Sequence, residues 1–99
     1  MARWTWKPEK ARTNLRDHKV SFELATHIFG DPFVLTRLDP YPHEERWQSI
    51  GRPSSGSQVV LFVVHTDAKP QSGGEEVGRI ISARKAERHE RKAYEEGES

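Results

Sequence analysis

The stretch Val59-Val60-Leu61-Phe62-Val63-Val64 decides the fold. Because it is apolar at every position, a strand built from it is hydrophobic on both faces, which is typical of the central strand of a sheet. We predict this strand over residues 58–66. The apolar run has six residues, far fewer than the ~20 that a membrane-spanning helix needs, so we predict no transmembrane segment.

Further elements are predicted on both sides of this central strand. The other predicted strands cover residues 3–6, 33–38, 45–52 and 77–82. The predicted helices cover residues 8–17, 21–29 and 83–96. Loops of hairpin length join the later strands, which favours an antiparallel sheet with the helices segregated from it. We therefore predict a small α+β single domain over residues 1–99, with an ordered core of about residues 3–96, in which an antiparallel β-sheet packs with two N-terminal helices and one C-terminal helix.

Composition excludes several classes of function. The chain has 99 residues and no cysteine, which excludes disulfides, thiolate nucleophiles and cysteine-based zinc sites. The N-terminus lacks the apolar segment of a signal peptide, and together with the missing cysteines this predicts a cytoplasmic protein. The net charge is only +1, but residues 79–92 hold six Lys or Arg against two Glu. A local basic patch is therefore expected near the C-terminus.

Many of these residues recur, in the same order, in a known family. The most specific run is Arg79-Ile80-Ile81-Ser82-Ala83-Arg84-Lys85-Ala86. The second is the spacing of Lys10, Asn14 and His18 before Val20-Ser21-Phe22. Further matching pieces are Trp6, Ala25, Phe29, Asp31-Pro32, Glu45-Arg46, Gly51-Arg52, Leu61-Phe62-Val63-Val64, Glu90-Arg91 and Tyr94. On these residues the chain resembles the BrnT toxins over nearly its whole length.

The resemblance implies a ribonuclease toxin of a type II toxin–antitoxin pair, with a fold similar to the RelE and ParE toxins. It implies a BrnA-like ribbon-helix-helix antitoxin as partner, RNA as substrate, and contact with operator DNA only through the antitoxin complex. It leaves room for a homodimer within a hetero-oligomer. The chain departs from the family pattern at Lys7, where an Asp that could cap the first helix is common, and at His65, where a Tyr is common.

Cleaving RNA without a metal requires a base for the ribose 2′-OH, cations for the charge on phosphorus, and an acid for the leaving oxygen. Arginine suits the charged role because its donors match phosphate oxygens. Arg79 and Arg84 are the catalytic candidates of this type. On a helix beginning at residue 83, Arg84, Arg88 and Arg91 would share one side. The predicted RNA-binding residues are Arg46, Lys85, Arg88 and Arg91. Alternatively, the arginines form a solvated helix face.

The proton-transfer candidates are Glu90, His65 and Tyr94. Glu90 falls on the small-residue face of the last helix, so we expect it to be partly buried and paired with Arg79 or Arg46, either as a structural ion pair or as a base. His65 would suit either proton-transfer role, and Tyr94 could donate a proton or stack on a base. His18 is expected to be a hydrogen-bonded core residue.

No two histidines stand three or four positions apart, and no phosphate-loop or cofactor motif occurs, so we predict no metal site and no cofactor. Two alternatives to the active ribonuclease stay open at this point. One is a catalytically inactive relative that acts only by binding its antitoxin and regulating an operator. The other, by analogy with ParE, is a gyrase-directed toxin.

Overall fold

The computed structural model describes residues 2–70 and 73–97. The strands are β1 (Ala2–Thr5), β2 (Leu35–Leu38), β3 (Trp47–Gly51), β4 (Leu61–His65), β5 (Lys69–Pro70) and β6 (Glu76–Lys85). The helices are α1 (Pro8–His18), α2 (Phe22–Thr26) with a 3-10 turn over His27–Gly30, and α3 (Arg88–Glu96). None of the described helices has the length and hydrophobicity to cross a bilayer.

The sheet has the order β1-β6-β4-β3-β2, with β5 paired to the start of β6. The predicted central strand is confirmed, since β4 lies between β3 and β6 and its Val63 pairs with Ser49 on one side and Ala83 on the other. The α+β class is also confirmed. The pairings among β2, β3, β4, β5 and β6 are antiparallel, as expected for strands joined by short loops.

β1 is the exception to the predicted antiparallel sheet, because it pairs parallel to β6, with Trp4 opposite Gly78. Two strands this far apart in sequence are not joined by a hairpin, so loop length does not determine their relative direction. A parallel neighbour is possible because the helices and the other strands lie between β1 and β6 in the chain. The sheet is therefore mixed.

One face of the sheet is covered by α1, α2 and the 3-10 turn. The buried residues at this face are Val20, Phe22, Ala25, Ile28, Leu61, Val63, Ile80 and Ala83. Asn14 fastens α1 to β6, since its amide donates to the carbonyls of Val20 (2.9 Å) and Ala83 (2.8 Å) and accepts from the Ala83 N–H (3.1 Å). The prediction that His18 is a core residue is wrong: α1 ends there, before the left-handed Lys19, and His18 is exposed.

α3 covers part of the opposite face, where its Ala93 and Tyr94 pack with Leu35, Ile50 and Phe62. The predicted start of this helix at residue 83 is wrong. Residues 83–85 continue β6 because they pair with Leu61, Phe62 and Val63 of β4, and this pairing outweighs their helical propensity. The helix begins instead after Glu87, whose side chain and that of Glu90 form a reciprocal capping box.

Candidate functional site

The arginines predicted to carry chemistry separate into two groups along β6, with Arg79 in the middle of the strand and Arg84 near its end. Arg79 and Arg46 bond the same carboxylate oxygen, whereas Arg84 pairs with Glu90. At about 3.3 Å per strand residue, Arg79 and Arg84 have Cα atoms roughly 16 Å apart. The predicted stripe of Arg84, Arg88 and Arg91 on one helix is wrong, because Arg84 lies on the strand.

Glu90 is buried, as predicted, but its partner is Arg84 and not Arg79 or Arg46. Arg84 Nη1 donates to Oε1 at 2.8 Å and Nη2 donates to Oε2 at 2.9 Å, while the Glu87 N–H donates to Oε1 at 2.7 Å. Burial alone would raise the pKa of Glu90, but the bonds from Arg84 and Glu87 outweigh it and lower this pKa. Arg84 also lies 4.2 Å above the Phe62 ring. This geometry favours a structural role, in which the pair docks α3 on β6.

His65 is buried on the face of the sheet that α1 and α2 cover. Its Nδ1 lies 2.8 Å from the Thr66 carbonyl, which can only accept, so Nδ1 carries the proton and Nε2 accepts from the Ser49 hydroxyl at 2.7 Å. The edges of Trp4 and Phe29 enclose the ring. Burial lowers the pKa of His65 despite the bond to Thr66. With both nitrogens bonded and the ring neutral, the geometry favours a structural role.

Tyr94 is buried where α3 meets the 3-10 turn. Its hydroxyl donates to Asp31 Oδ2 at 2.5 Å, and the same oxygen accepts the Arg52 N–H at 2.8 Å. Burial and then the bond to Asp31 raise the pKa of Tyr94. The ring borders a cavity of about 560 Å³ beside the exposed Phe33. Tyr94 therefore joins three elements and does not meet Arg79.

The remaining predicted RNA-binding residues surround the start of α3. Arg91 donates to the Gln58 carbonyl at 2.8 Å and to Glu95 at 3.1 Å. Lys85 and Arg88 are exposed. These side chains lie at the Arg84 end of β6, so the structure does not gather them around Arg79.

Arg46 and Arg79 share a partner that the sequence did not single out. Glu44 Oε1 accepts from Arg46 Nε at 2.9 Å and from Arg79 Nη2 at 2.7 Å. The hydrogen bond from Arg46 is the largest influence on the pKa of Glu44, and together with the charge and hydrogen bond of Arg79 it outweighs burial, so this pKa is lowered. Arg46 comes just before β3, and Arg79 lies on β6. Thr66, which follows the intervening strand β4, forms hydrogen bonds with the backbone of Arg79.

A basic cavity of about 170 Å³ opens beside this cluster. Its lining residues are Lys7, Lys10, Arg46, Arg79, Ile80 and Ile81. Lys7 comes from the β1–α1 junction, Lys10 from the first turn of α1, Arg46 from the position just before β3, and Arg79 from the middle of β6. Parallel pairing of β1 with β6 places Thr5 opposite Arg79 and so brings Lys7 to this point. Among the described residues, no carboxylate lines the cavity, so its walls are suited to bind an anion.

The loop between β2 and β3 supplies aromatic groups next to the basic cavity. Arg46 lies 3.8 Å above the Tyr41 ring, and His43 contacts that ring edge-on at 5.4 Å. Sequence reasoning missed Tyr41, His43 and Glu44, together with the two lysines. The signal that was present is the density of polar and aromatic residues in this one loop, since loops on a rigid scaffold often carry function.

Glu87, His89 and Glu90 are the one cluster of three candidate metal ligands among residues 2–70 and 73–97. Both oxygens of Glu90 are already engaged by Arg84. A metal ion would therefore find two free ligands here, fewer than the three protein ligands of a catalytic zinc site. We assign no metal to this cluster.

Residues 6–90 match the model of one protein family, described as the ribonuclease toxin BrnT of a type II toxin–antitoxin system. A comparison with individual curated proteins finds no match. The match covers most of the chain, from the β1–α1 junction through β6 and into α3, and it includes all four cations of the basic cavity. The chain therefore belongs to the BrnT family of ribonuclease toxins of type II toxin–antitoxin systems.

Proposed function

We propose that this chain is a metal-independent endoribonuclease that binds the scissile phosphate of RNA in the basic cavity. The observation that carries the proposal is the convergence of Lys7, Lys10, Arg46 and Arg79 on one cavity in a chain of this family. Four fixed positive charges supply the stabilisation that cleavage needs as negative charge grows on phosphorus.

The two arginines are proposed to hold the reacting phosphate, with Arg79 as the catalytic residue. Arginine presents planar donors that match two phosphate oxygens and remains charged at any working pH. Lys7 and Lys10 act as point charges on the same or the adjacent phosphate. Arg84, Glu90, His65 and Tyr94 are assigned to the scaffold, on the contacts described above.

A type II toxin has an antitoxin protein as its partner. We propose a BrnA-like ribbon-helix-helix antitoxin that covers the basic cavity with an acidic segment, because opposite charge would both attract the antitoxin and exclude RNA. Operator DNA is then contacted only through the complex. Such a pair would act in the cytoplasm, where its RNA substrates are.

The test is cleavage of end-labelled RNA by the purified chain in excess EDTA. We expect cleavage that leaves 2′,3′-cyclic phosphate ends and that Arg79→Ala reduces at least 100-fold, which is the usual size of losing a transition-state donor. Arg12→Ala is the matched control, since Arg12 is an exposed arginine on α1 outside the cavity. Full loss of cleavage in EDTA would contradict metal independence. Intact RNA under all conditions would favour the inactive relative that only binds its antitoxin.

A further inference from the structure

We propose that Glu44 is the general base of this ribonuclease, taking the proton of the ribose 2′-OH. The inference rests on the proposed function, because it assumes that the phosphate binds to Arg46 and Arg79. Neither the family match nor the sequence pattern singles out Glu44. Its place in the site comes from the two bonds, 2.9 and 2.7 Å long, that tie its Oε1 to these arginines.

The geometry places the carboxylate next to the reacting atoms. A phosphate held by Arg46 and Arg79 must lie beside the group that already bridges them. The scissile phosphate is attached to the 3′-oxygen of a ribose, and the attacking 2′-oxygen belongs to that same ribose. The 2′-oxygen is therefore a near neighbour of the phosphate oxygens. Within the described part of the chain, the hydrogen bonds to Glu44 all go to Oε1, which leaves Oε2 able to accept a proton.

The charges around Glu44 also change in the direction that the reaction requires. The groups that face it are Arg46 and Arg79, while Lys7 and Lys10 line the adjoining cavity. His43 and Glu45 are its neighbours in the chain. When Glu44 accepts a proton it loses its negative charge, and the two arginines can then turn their donors to the phosphorane, whose negative charge is growing.

The 2′-O–H bond breaks, its proton goes to Glu44 Oε2, and the 2′-oxygen forms a bond to phosphorus. The bond from phosphorus to the 5′-oxygen breaks, and that oxygen takes a proton from water. The products are a 2′,3′-cyclic phosphate and a 5′-hydroxyl, and Glu44 returns its proton to water.

The experiment compares Glu44→Gln with Glu45→Gln, which removes the same charge from the adjacent exposed residue. The glutamine retains an oxygen that can accept from both arginines, but an amide nitrogen replaces Oε2, so the side chain cannot take up the proton. We measure the single-turnover rate of RNA cleavage and the affinity for an RNA with 2′-O-methyl groups at every position, which cannot be cleaved. Glu44 is partly exposed, so Glu44→Gln is expected to have the same Tm as the wild type.

We expect Glu44→Gln to cleave at least 100-fold more slowly, as is usual for loss of a general base, and to bind the methylated RNA as tightly as the wild type or more tightly. Glu45→Gln should cleave normally, and Glu44→Asp should recover part of the lost rate. A rate within threefold of the wild type for Glu44→Gln would overturn the proposal. So would a loss of affinity that equals the loss of rate, because Glu44 would then only position the arginines.

The two proposals can fail separately. If Arg79→Ala is inactive while Glu44→Gln is active, the phosphate site stands and the base is another group. If the wild type itself leaves RNA intact, the proposed function and this inference both fall.

Discussion

Arg84 and Glu90 meet through two parallel hydrogen bonds, in which Nη1 donates to Oε1 at 2.8 Å and Nη2 donates to Oε2 at 2.9 Å. The carboxylate is almost fully buried and the guanidinium covers the Phe62 ring. This pair holds α3 against the sheet, about 16 Å from the level of Arg79. The two arginines should therefore affect different properties of the protein.

Arg84→Ala is expected to reduce stability and not chemistry. Removing the guanidinium leaves a buried carboxylate with the Glu87 N–H as its remaining partner, which costs about 2 kcal/mol and lowers Tm by roughly 10 °C. Arg79→Ala removes a half-exposed side chain and should change Tm by only about 2 °C. Thermal melts of both variants check this, with cleavage measured below the lower Tm. An Arg84→Ala protein with the same Tm as the wild type would contradict the structural role of Arg84.

Tyr94→Phe is expected to reduce stability without reducing the rate of RNA cleavage. The variant loses the bond to Asp31 and should be destabilised by about 1 kcal/mol, since a partly buried carboxylate loses one of its donors. Cleavage per folded molecule should equal that of the wild type. The measurement is a urea melt followed by a rate under conditions where both proteins are folded. A large loss of rate in the folded variant would show that the hydroxyl reaches the substrate after all.

Lys7→Asp is expected to have opposite effects on stability and on cleavage. Lys7 is the N-cap residue of α1 and makes no side-chain cap bond, so an Asp there should stabilise the helix by about 1 kcal/mol and raise Tm by roughly 5 °C. The same change puts a negative charge at the basic cavity and should slow RNA cleavage.

Lys7→Ser is the control for this variant, because serine can cap the helix without adding a negative charge. It should raise Tm to a similar degree and slow cleavage less than Lys7→Asp does. If Lys7→Asp instead cleaves RNA at the wild-type rate, Lys7 does not contribute to phosphate binding.

His65 is expected to make folding depend on pH below its ordinary pKa of about 6.5. Because the pKa of His65 is lowered in the folded state, the unfolded chain binds the proton first, so stability is complete above pH 6.5 and falls as the pH drops below it. The measurement is Tm at pH 8, 7, 6 and 5. The other four histidines are exposed.

His65→Phe should remove most of this slope between pH 6.5 and 5, because it cannot take up a proton. Ser49 retains its 2.8 Å hydrogen bond to Thr36 in this variant, so its hydroxyl is not left unpaired. An unchanged slope in His65→Phe would assign the pH dependence to other groups.

Local patterns predicted the elements well and the long-range contacts poorly. The apolar run at Leu61 gave the central strand, and Pro8 marked the start of α1. The boundary between β6 and α3 was misplaced because Ala83, Arg84 and Lys85 favour a helix locally, while β4 holds them in the sheet. Burial of Glu90 followed from helical periodicity, but the identity of its partner depended on that same boundary.

The basic cavity was not predictable from the sequence because it depends on one pairing. Lys7 and Arg79 meet since β1 joins β6 in parallel, and no local pattern specifies which strand β1 will choose. Glu44 lies in a loop, where periodicity carries no information about direction. The sequence therefore identified Arg46 and Arg79 as two separate candidates but did not indicate that a carboxylate links them.

Because β1 pairs with β6, this part of the sheet can form only late during synthesis of the chain. Thr5 bonds the Gly78 carbonyl, a partner 73 residues further along the chain. At translation rates of about 5–20 residues per second, the N-terminal strand waits roughly 4–15 s before its neighbour exists. Lys7 and Lys10 emerge early, but they face Arg79 only once that strand has been made. The basic cavity, and with it the proposed phosphate site, is therefore completed only after β6 has been synthesised.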